Sequence, residues 1–213
     1  MFLERLPLGT LWTNGYLVWD DRGAGFFIDP GGDPQDILSL VDNRGVDLEF
    51  ILLTHGHADH IGGLGPVRPR ARRGVMVHED DAPMLSRPES NLSAFVGGAI
   101  ELAPADRLLK DGDVIRAGRL LVRVIHTPGH TRGSACFLVG EEGEDPVLFS
   151  GDTLFAGSVG RSDLPGGDER TLMVSLGKLA CLPDATRVLP GHGPETTIGQ
   201  ERRHNPFWPE GQR

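Results

Sequence analysis

The chain of 213 residues lacks the features of several protein classes. It contains two cysteines, Cys136 and Cys181, which are too few for a disulfide framework. No stretch approaches the roughly 18 consecutive apolar residues of a membrane-spanning helix. Residues 1–5 lack the charged segment and apolar core of a secretory signal. We therefore expect an untargeted cytoplasmic protein without membrane contact.

Positive charge is also in short supply. The 30 Asp and Glu residues outnumber the 21 Lys and Arg residues, and the formal net charge is −9. Because phosphate binding calls for a basic face, nucleic acid is not an expected partner. One local exception could attract an anionic substrate, although such a run is more often a solvated surface: Arg68, Arg70, Arg72 and Arg73.

The length of the chain suits one folding unit. A chain of 213 residues can bury a sizeable core, and single domains of this size are ordinary. Neither an internal repeat nor a linker interrupts the pattern. We predict a single domain over residues 1–213.

One short segment is crowded with metal-seeking side chains. Within six residues it carries His55, His57, Asp59 and His60. Imidazole nitrogen and carboxylate oxygen are ligands of zinc, iron and manganese. No regular element can aim all four groups at one point. A pair of ions, which lie about 3.5–4 Å apart in hydrolytic sites, is the simplest prediction.

Three further candidate ligands follow in similar settings. His130 lies in Thr-Pro-Gly-His-Thr, Asp152 in Ser-Gly-Asp-Thr, and His192 in Pro-Gly-His-Gly. Each follows a short apolar run bounded by Gly or Pro, which predicts a buried strand. Rigid strands can hold ligands on loops so that they converge. The four runs that precede ligands are residues 50–53, 120–125, 147–149 and 187–189.

The rest of the chain mixes strands and helices. Apolar alternation, turn residues and helical spacing predict two sheets covered by helices. The predicted strands are residues 14–18, 25–28 and 74–77, with a hairpin over 114–125 that turns at 117–118, and the predicted helices are 34–43, 169–182 and 196–204.

With these motifs in place, the chain resembles the metallo-β-lactamase superfamily, and within it the short bacterial glyoxalase II-like hydrolases. The resemblance runs from residues 26–31 to 190–206. Its strongest sign is H-x-H-x-D-H followed by His, Asp and His in order. It implies a four-layer αβ/βα sandwich with metals at one edge between the sheets. About twenty residues follow His192, so we expect no C-terminal helical glutathione-binding domain of the kind found in long glyoxalase II enzymes.

The resemblance also implies which side chains bind metal. Two divalent ions are expected, with zinc favoured and iron or manganese as alternatives. The common zinc β-lactamases carry a cysteine in place of the bridging aspartate, and neither cysteine of this chain falls there. The implied ligands are His55, His57 and His130 for the first ion, Asp59, His60 and His192 for the second, and Asp152 between them.

Other roles are carried over from the family in the same way. Asp59 would also orient the attacking hydroxide, and Asp29 would brace the H-x-H-x-D-H loop. In long glyoxalase II enzymes the segment after the bridging aspartate supplies a lysine and a tyrosine to glutathione. Arg161 could keep the cationic contact, whereas Asp163 replaces the tyrosine. The flanking threonines are expected to brace ligands as well, and the histidines outside the motifs are expected to be structural or exposed: Thr54, Thr127, Thr153, His78, His126 and His204.

The activity implied by the resemblance is hydrolysis of a thioester, such as an S-(2-hydroxyacyl)glutathione, by a hydroxide that bridges the two ions. The expected partner is therefore a small molecule, and the oligomeric state stays open. Mononuclear iron persulfide dioxygenases of the same fold are the alternative, because residues 160–163 match their G-R-x-D segment. Residues 191–199 instead look like the short hydrolases. A nuclease of the superfamily is disfavoured by the acidic balance and by the missing inserted domain.

Overall fold

Strands and helices alternate along the chain in the computed structural model, which describes residues 1–96 and 98–209. The strands are β1 (Phe2–Leu8), β2 (Thr13–Trp19), β3 (Ala24–Ile28), β4 (Asp47–Leu52), β5 (Val75–His78), β6 (Arg107–Leu109), β7 (Val114–Ala117), β8 (Leu120–His126), β9 (Ala135–Glu141), β10 (Val147–Gly151), β11 (Leu154–Phe155), β12 (Ser158–Val159), β13 (Arg187–Pro190) and β14 (Thr196–Thr197). The α-helices are α1 (Pro34–Arg44), α2 (Ala58–Ile61), α3 (Leu64–Val67), α4 (Ser93–Val96), α5 (Glu169–Leu179) and α6 (Ile198–His204).

The strands form two six-stranded sheets and a short ribbon. The first sheet has the order β1-β2-β3-β4-β5-β6, and the second has the order β14-β13-β10-β9-β8-β7. β10 runs parallel to β13, while β9 is antiparallel to both β8 and β10. β8, β10 and β13 therefore point the same way, and their carboxyl ends meet at one edge of the second sheet.

Side chains alternate between the two faces of each sheet, as strand geometry requires. Phe26 and Leu52 of the first sheet face Phe137 and Phe149 of the second in a core between the sheets. Their chain neighbours, such as Phe27, point outward instead.

Helices cover both outer faces. Ile37 and Val41 of α1 pack on the first sheet. Leu176 of α5 and Ile198 of α6 pack on the second, together with Trp208. The predicted four-layer sandwich is confirmed, and the fold is a single mixed α/β domain. Within the described residues, no helix is long and apolar enough to cross a bilayer.

The ends of α1 and α5 follow from local chemistry. Asp33 caps α1 by accepting a hydrogen bond from the Gln35 amide at 2.8 Å, and Gly45 ends it with φ 63°. α5 ends at Leu179, three residues before the predicted end. The amides of Cys181 and Leu182 bond to carbonyls three residues earlier, so the chain tightens ahead of Pro183, which cannot continue a helix.

The sequence analysis missed the edge strand β1 and misplaced the start of α6. β1 carries Pro7 and charged side chains, a pattern that hides a strand, but proline is tolerated at a sheet edge. Thr197 is not the second helical residue. It caps α6 by accepting from the Gln200 amide at 3.2 Å, and with Thr196 it pairs with β13.

Candidate metal centre

Loops from both sheets meet at the edge where the predicted ligands lie. The segment after β4 carries the H-x-H-x-D-H motif, and the loops after β8, β10 and β13 carry one candidate each. His55, His57, His60 and His130 are buried. The other three side chains remain reachable from solvent, with exposed fractions of 11% for Asp152, 23% for Asp59 and 27% for His192.

Three histidines form the first group. His55, His57 and His130 each offer a ligand atom within 4.8 Å of the others. Nδ1 of His57 lies 3.0 Å from Nε2 of His130. The His55 ring stands perpendicular to the His57 ring, with centroids 4.8 Å apart. This spacing and the nitrogen-only donor set suit a divalent transition metal.

A carboxylate and two histidines form the second group. Nε2 of His192 lies 3.1 Å from Oδ2 of Asp59, and Nε2 of His60 lies 3.5 Å from the same oxygen. All three side chains offer ligand atoms within 4.8 Å of one another. Thr13 donates a hydrogen bond to Asp59 Oδ2 at 3.0 Å, which fixes the orientation of that carboxylate.

Asp152 faces both groups. Its Oδ1 lies 3.4 Å from Nε2 of His60, and its Oδ2 lies 3.6 Å from Nε2 of both His130 and His192. Gly191 leaves room for this carboxylate, because a Cβ at that position would overlap Asp152 Oδ1. The structure therefore brings all seven predicted ligand residues into one cluster.

The donor atoms of this cluster fit metal ions. Among the described residues, four buried side-chain nitrogen and oxygen atoms have no hydrogen-bond partner: His55 Nε2, His57 Nε2, His60 Nε2 and Asp152 Oδ1. A buried polar atom without a partner costs roughly 1–3 kcal/mol, so four in one cluster call for a cation. Together with the fold, these His and Asp clusters imply bound metal ions.

The electrostatics of the cluster agree with that conclusion. Burial and the neighbouring imidazoles lower the pKa of His57 to about 3, and the same causes hold the pKa of His55 far below its ordinary value. Both rings are therefore neutral, as metal ligands must be. Burial also lowers the pKa of His60, but Asp59 and Asp152 outweigh it and raise that pKa well above its ordinary value. The carboxylates thus attract positive charge to this point.

Protein acceptors hold most of these imidazoles in the orientation that a metal requires. The Asp29 carboxylate accepts from His60 Nδ1 at 2.9 Å, and the Arg161 carbonyl accepts from His130 Nδ1 at 2.7 Å. The Leu11 carbonyl does the same for His192 Nδ1 at 3.2 Å. In each case Nε2 is the nitrogen that faces the cluster and would bind a metal.

Asp29 itself is held in place. It adopts a left-handed backbone conformation with φ 53°, which is uncommon for a residue other than glycine. The Thr54 amide donates to its Oδ1 at 2.8 Å, and the Thr54 hydroxyl donates to its Oδ2 at 2.6 Å. The Thr54 oxygen then accepts from His55 Nδ1 at 3.1 Å. Asp29 and Thr54 therefore brace two histidines of the loop.

Sequence reasoning missed Asp81, which joins the two ligand loops. Its buried carboxylate accepts hydrogen bonds from the Gly56 amide at 3.1 Å, the Thr131 hydroxyl at 2.7 Å and the Gly133 amide at 2.7 Å. Burial raises its pKa despite these contacts. A signal was present, because Asp81 follows a predicted strand closely, as Asp29 does.

A cleft of about 730 Å³ opens over the exposed side of the cluster. His57, Asp59, His130, Asp152 and His192 form its floor. Most of its walls are apolar, which favours an uncharged group near the metal positions. The apolar wall residues are Leu11, Ala58, Leu92, Phe95, Phe155, Val159, Leu164 and Pro165.

Arg161 also lines the cleft, but its charge is offset. Its guanidinium donates two hydrogen bonds of 2.8 Å to the Asp163 carboxylate. The arginine-rich loop noted in the sequence is similarly paired and lines a different pocket. Its partners are Asp106 for Arg68, Asp42 for Arg70, Asp47 for Arg72 and Glu49 for Arg73.

The remaining candidates of the sequence analysis lie around the centre. His78 and His126 stack with ring centroids 3.8 Å apart, and Asp80 lies beside them. His126 Nε2 donates to the Arg132 carbonyl at 2.9 Å, so this nitrogen serves a backbone contact. The hydroxyls of Thr127 and Thr153 lie 2.9 Å apart behind the ligand loops. His204 is exposed in the last turn of α6.

The sequence matches known proteins over most of its length. The profile of the Metallo-beta-lactamase superfamily matches residues 9–192. The chain is 37% identical to the probable metallo-hydrolase YqgX of Bacillus subtilis, with 96% of each chain covered. It is 35% identical to the hydroxyacylglutathione hydrolase GloC of Haemophilus influenzae, with 97% of this chain and 98% of that protein covered.

Solved structures share the fold. The BLEG-1 B3 metallo-beta-lactamase is 40% identical, with a TM-score of 0.90 over 97% of this chain and 99% of that one. TTHA1623, crystallised in a di-iron-bound form, is 40% identical with a TM-score of 0.80 over 96% and 99%. ETHE1 from Myxococcus xanthus is 30% identical with a TM-score of 0.76 over 97% and 84%.

Proposed function

Since the chain belongs to the metallo-beta-lactamase superfamily and is a metal-dependent hydrolase of that superfamily, we propose that it cleaves a thioester of the S-(2-hydroxyacyl)glutathione kind at a centre for two metal ions. The likeness to the hydroxyacylglutathione hydrolase GloC over nearly the whole of both chains supports the choice of substrate.

The single observation that carries the two-ion proposal is the position of Asp152. Its carboxylate lies within 3.6 Å of His130 from the first group and of His60 and His192 from the second. We assign the first ion to His55, His57 and His130, the second to Asp59, His60 and His192, and the shared position to Asp152. Zinc is the proposed metal, with iron or manganese as alternatives. The structure of TTHA1623 in a di-iron-bound form supports iron as an alternative to zinc.

When bound, the two cations supply a water activated at neutral pH and polarise the carbonyl of the substrate. The chain supplies the rest. Asp59, fixed by Thr13, orients the attacking water. The apolar walls of the cleft exclude bulk water around the thioester.

The reaction needs no acid from the chain. Water adds to the carbonyl carbon, a C–O bond forms, and the C–S bond breaks. The thiol leaves as a thiolate, whose conjugate acid has a pKa near 8.5, and then takes the proton that water loses. The described cleft offers no lysine, tyrosine or cysteine beside the metal positions, which agrees with a leaving group of this kind.

A persulfide dioxygenase with one iron is the alternative. The likeness to ETHE1 and the segment 160–163 favour it. The hydrolase is preferred because one ion would leave part of the seven-residue cluster unused, and because the GloC relative matches over 98% of its own length.

An anaerobic assay separates these reactions. Zinc-reconstituted protein is given S-lactoylglutathione without oxygen, and free thiol is measured. A parallel iron-loaded sample receives glutathione persulfide in air, and oxygen uptake is measured. A third receives a chromogenic β-lactam, because BLEG-1 is a B3 metallo-beta-lactamase. Thiol release without oxygen supports the proposal. Oxygen uptake or β-lactam cleavage without thioester cleavage reverses it.

The proposed location is the cytoplasm. Both cysteines are free in the described structure, Cys136 buried and Cys181 exposed, which suits a reducing compartment. The proposed partner is the thioester alone, without nucleic acid or membrane. Fractionation of cells that express the tagged protein tests the location.

A further inference from the structure

A second pocket, of about 250 Å³, lies beside the cleft and shares Pro165 with it. Thr131 lines this pocket directly after the ligand His130. Met84 lines it as well and packs closely against Gly56, between two ligand histidines. The pocket wall therefore adjoins the metal centre at Thr131, and Met84 connects it to the ligand loop through Gly56.

Two arginines line this pocket, and their guanidinium groups are not engaged. Within residues 1–96 and 98–209, the side chains of Arg87 and Arg132 make no hydrogen bond or ion pair. Arg161 and the arginines of the basic loop, by contrast, each contact a carboxylate. Positive charge is therefore available at this pocket.

The main chain of both arginines is fixed. The Arg132 carbonyl accepts from His126 Nε2 at 2.9 Å. The Arg87 carbonyl accepts from the amides of Ser90 at 2.9 Å and Asn91 at 3.0 Å. The fixed backbone keeps both exposed side chains at the pocket, and each side chain loses rotamer freedom when it binds an anion, which the new hydrogen bonds must offset.

The acidic groups of the pocket do not use up this charge. Both Asp81 oxygens accept hydrogen bonds from the ligand loops. The Asp80 carboxylate lies 3.6 Å from the imidazole of His78 and 3.9 Å from that of His126, and neither arginine forms an ion pair with it within the described residues. The hydroxyl group of Ser90 is a further donor at the pocket wall, whereas the Thr131 hydroxyl already donates to Asp81.

From this arrangement we propose that Arg87 and Arg132 bind the anionic end of the thiol carrier, while its thioester lies at the metal centre. This inference rests on the proposed thioester hydrolysis. The planar guanidinium matches a carboxylate or a phosphate with two parallel hydrogen bonds. A carrier with carboxylates, such as glutathione, and a carrier with phosphates, such as coenzyme A, share this chemistry. The apolar cleft accommodates the uncharged part of the substrate.

Steady-state kinetics with three thioesters test the assignment. S-Lactoylglutathione carries carboxylates, lactoyl-coenzyme A carries phosphates, and S-lactoyl-N-acetylcysteamine has a neutral carrier. Arg87→Ala and Arg132→Ala should each raise KM for one acidic thioester by about tenfold. They should change kcat by less than twofold and leave the neutral thioester unaffected, because the contact is equal in ground and transition states. The acidic thioester whose KM rises more shows whether the two arginines bind a carboxylate or a phosphate.

Matched variants exclude unspecific effects. Arg170→Ala removes the same charge from an exposed position that lines neither cavity, and it should leave all three KM values unchanged. Arg87→Lys and Arg132→Lys should recover part of the loss, since lysine keeps the charge without the planar fork. Equal KM values for wild type and variants on both acidic thioesters would overturn the assignment, as would an equal rise on the neutral one.

A binding measurement separates this inference from the proposed function. S-Methylglutathione and coenzyme A cannot be hydrolysed at a thioester, and calorimetry reports their binding directly. If the protein cleaves no thioester, the proposed function fails. The assignment of Arg87 and Arg132 still holds if either ligand binds to the wild type and loses at least tenfold in affinity in the Arg87→Ala/Arg132→Ala variant. Absence of binding by both ligands would overturn it.

Discussion

Nδ1 of His60 lies 2.9 Å from a carboxylate oxygen of Asp29, which precedes it by 31 positions in the chain. Asp29 directly follows β3, and His60 lies in α2, which follows the adjacent parallel strand β4. Since the carboxylate must accept, His60 donates from Nδ1, and Nε2 is the nitrogen that faces the cluster and would bind a metal.

Asp29→Asn should therefore weaken metal binding. An amide can sit at the same left-handed backbone position, but it is a weaker acceptor for the imidazole. We expect the affinity for the metal to fall about 10- to 100-fold, with thioester cleavage falling in parallel at limiting metal. Competition with a chelating dye measures the affinity. Asp33→Asn is the control, because asparagine caps a helix as well as aspartate does. Unchanged affinity in Asp29→Asn would show that the contact does not support the metal.

The fold could be predicted from the sequence where apolar runs were bounded by glycine or proline. The strands that lead into the ligand loops belong to this class. β1 escaped because an edge strand buries only part of its surface, so its side chains carry little periodic signal. The last turn of α5 was overestimated because its apolar spacing continues into residues 180–182, where Pro183 already constrains the backbone.

For the site, sequence motifs identified the candidate ligands but not the groups around them. Asp81 contacts Gly56 and Thr131, which are 25 and 50 positions away, and no local pattern encodes such a contact. Arg87 and Arg132 line the same pocket although they are far apart in the chain, so no local pattern shows that they lie together. Arg161 was identified as a cation near Asp152, but the sequence did not show that Asp163 holds it in a two-point contact.

That contact predicts an unusual effect of Asp163→Asn. Removal of the carboxylate frees the Arg161 guanidinium at the wall of the cleft. KM for S-lactoylglutathione should then fall by a factor of about two to five, in line with the small energies of exposed ion pairs. kcat should stay constant, and the additional change Arg161→Ala should abolish the gain. A KM that does not fall would argue that Arg161 does not reach the substrate.

Gly191 offers a test of the space around Asp152. A Cβ at this position would overlap Asp152 Oδ1 and lie 2.8 Å from Cε1 of His60. Gly191→Ala should displace the shared carboxylate and lower both metal content and activity at least tenfold, with circular dichroism unchanged. Gly65→Ala is the matched control, because its Cβ makes only an ordinary contact of 3.6 Å. Full metal content in Gly191→Ala would contradict the assignment of Asp152.

The two cysteines should differ in reactivity. Burial raises the pKa of the Cys136 thiol to about 11, whereas Cys181 is exposed. At pH 8 a disulfide reagent should modify one thiol per native chain and two after unfolding, and Cys181→Ser should abolish the native reaction. The raised pKa stabilises the folded protein fully below pH 9. This contribution is lost as the pH rises through about 11, because the unfolded thiol ionises first. Two fast thiols in the native protein would contradict the buried position of Cys136.

The number of metal ions bound by variants of Asp152 and His192 distinguishes a ligand shared by both ions from a ligand of one ion. If Asp152 serves both groups, Asp152→Asn should lower the content of a metal-saturated protein from two ions per chain to one or none. Activity should fall at least 100-fold, because a neutral amide would be a poor shared ligand for the two groups that the carboxylate serves. His192 lies 3.1 Å from Asp59 of the second group and 3.6 Å from the shared Asp152. His192→Ala should therefore keep one tightly bound ion at His55, His57 and His130.

Elemental analysis after gel filtration measures the metal content of both variants beside the wild type. One ion per chain in fully active wild-type protein would exclude a second catalytic ion and favour the mononuclear alternative. Two ions in the wild type, with different losses in the two variants, would show that one carboxylate joins two sites that the remaining ligands hold separately.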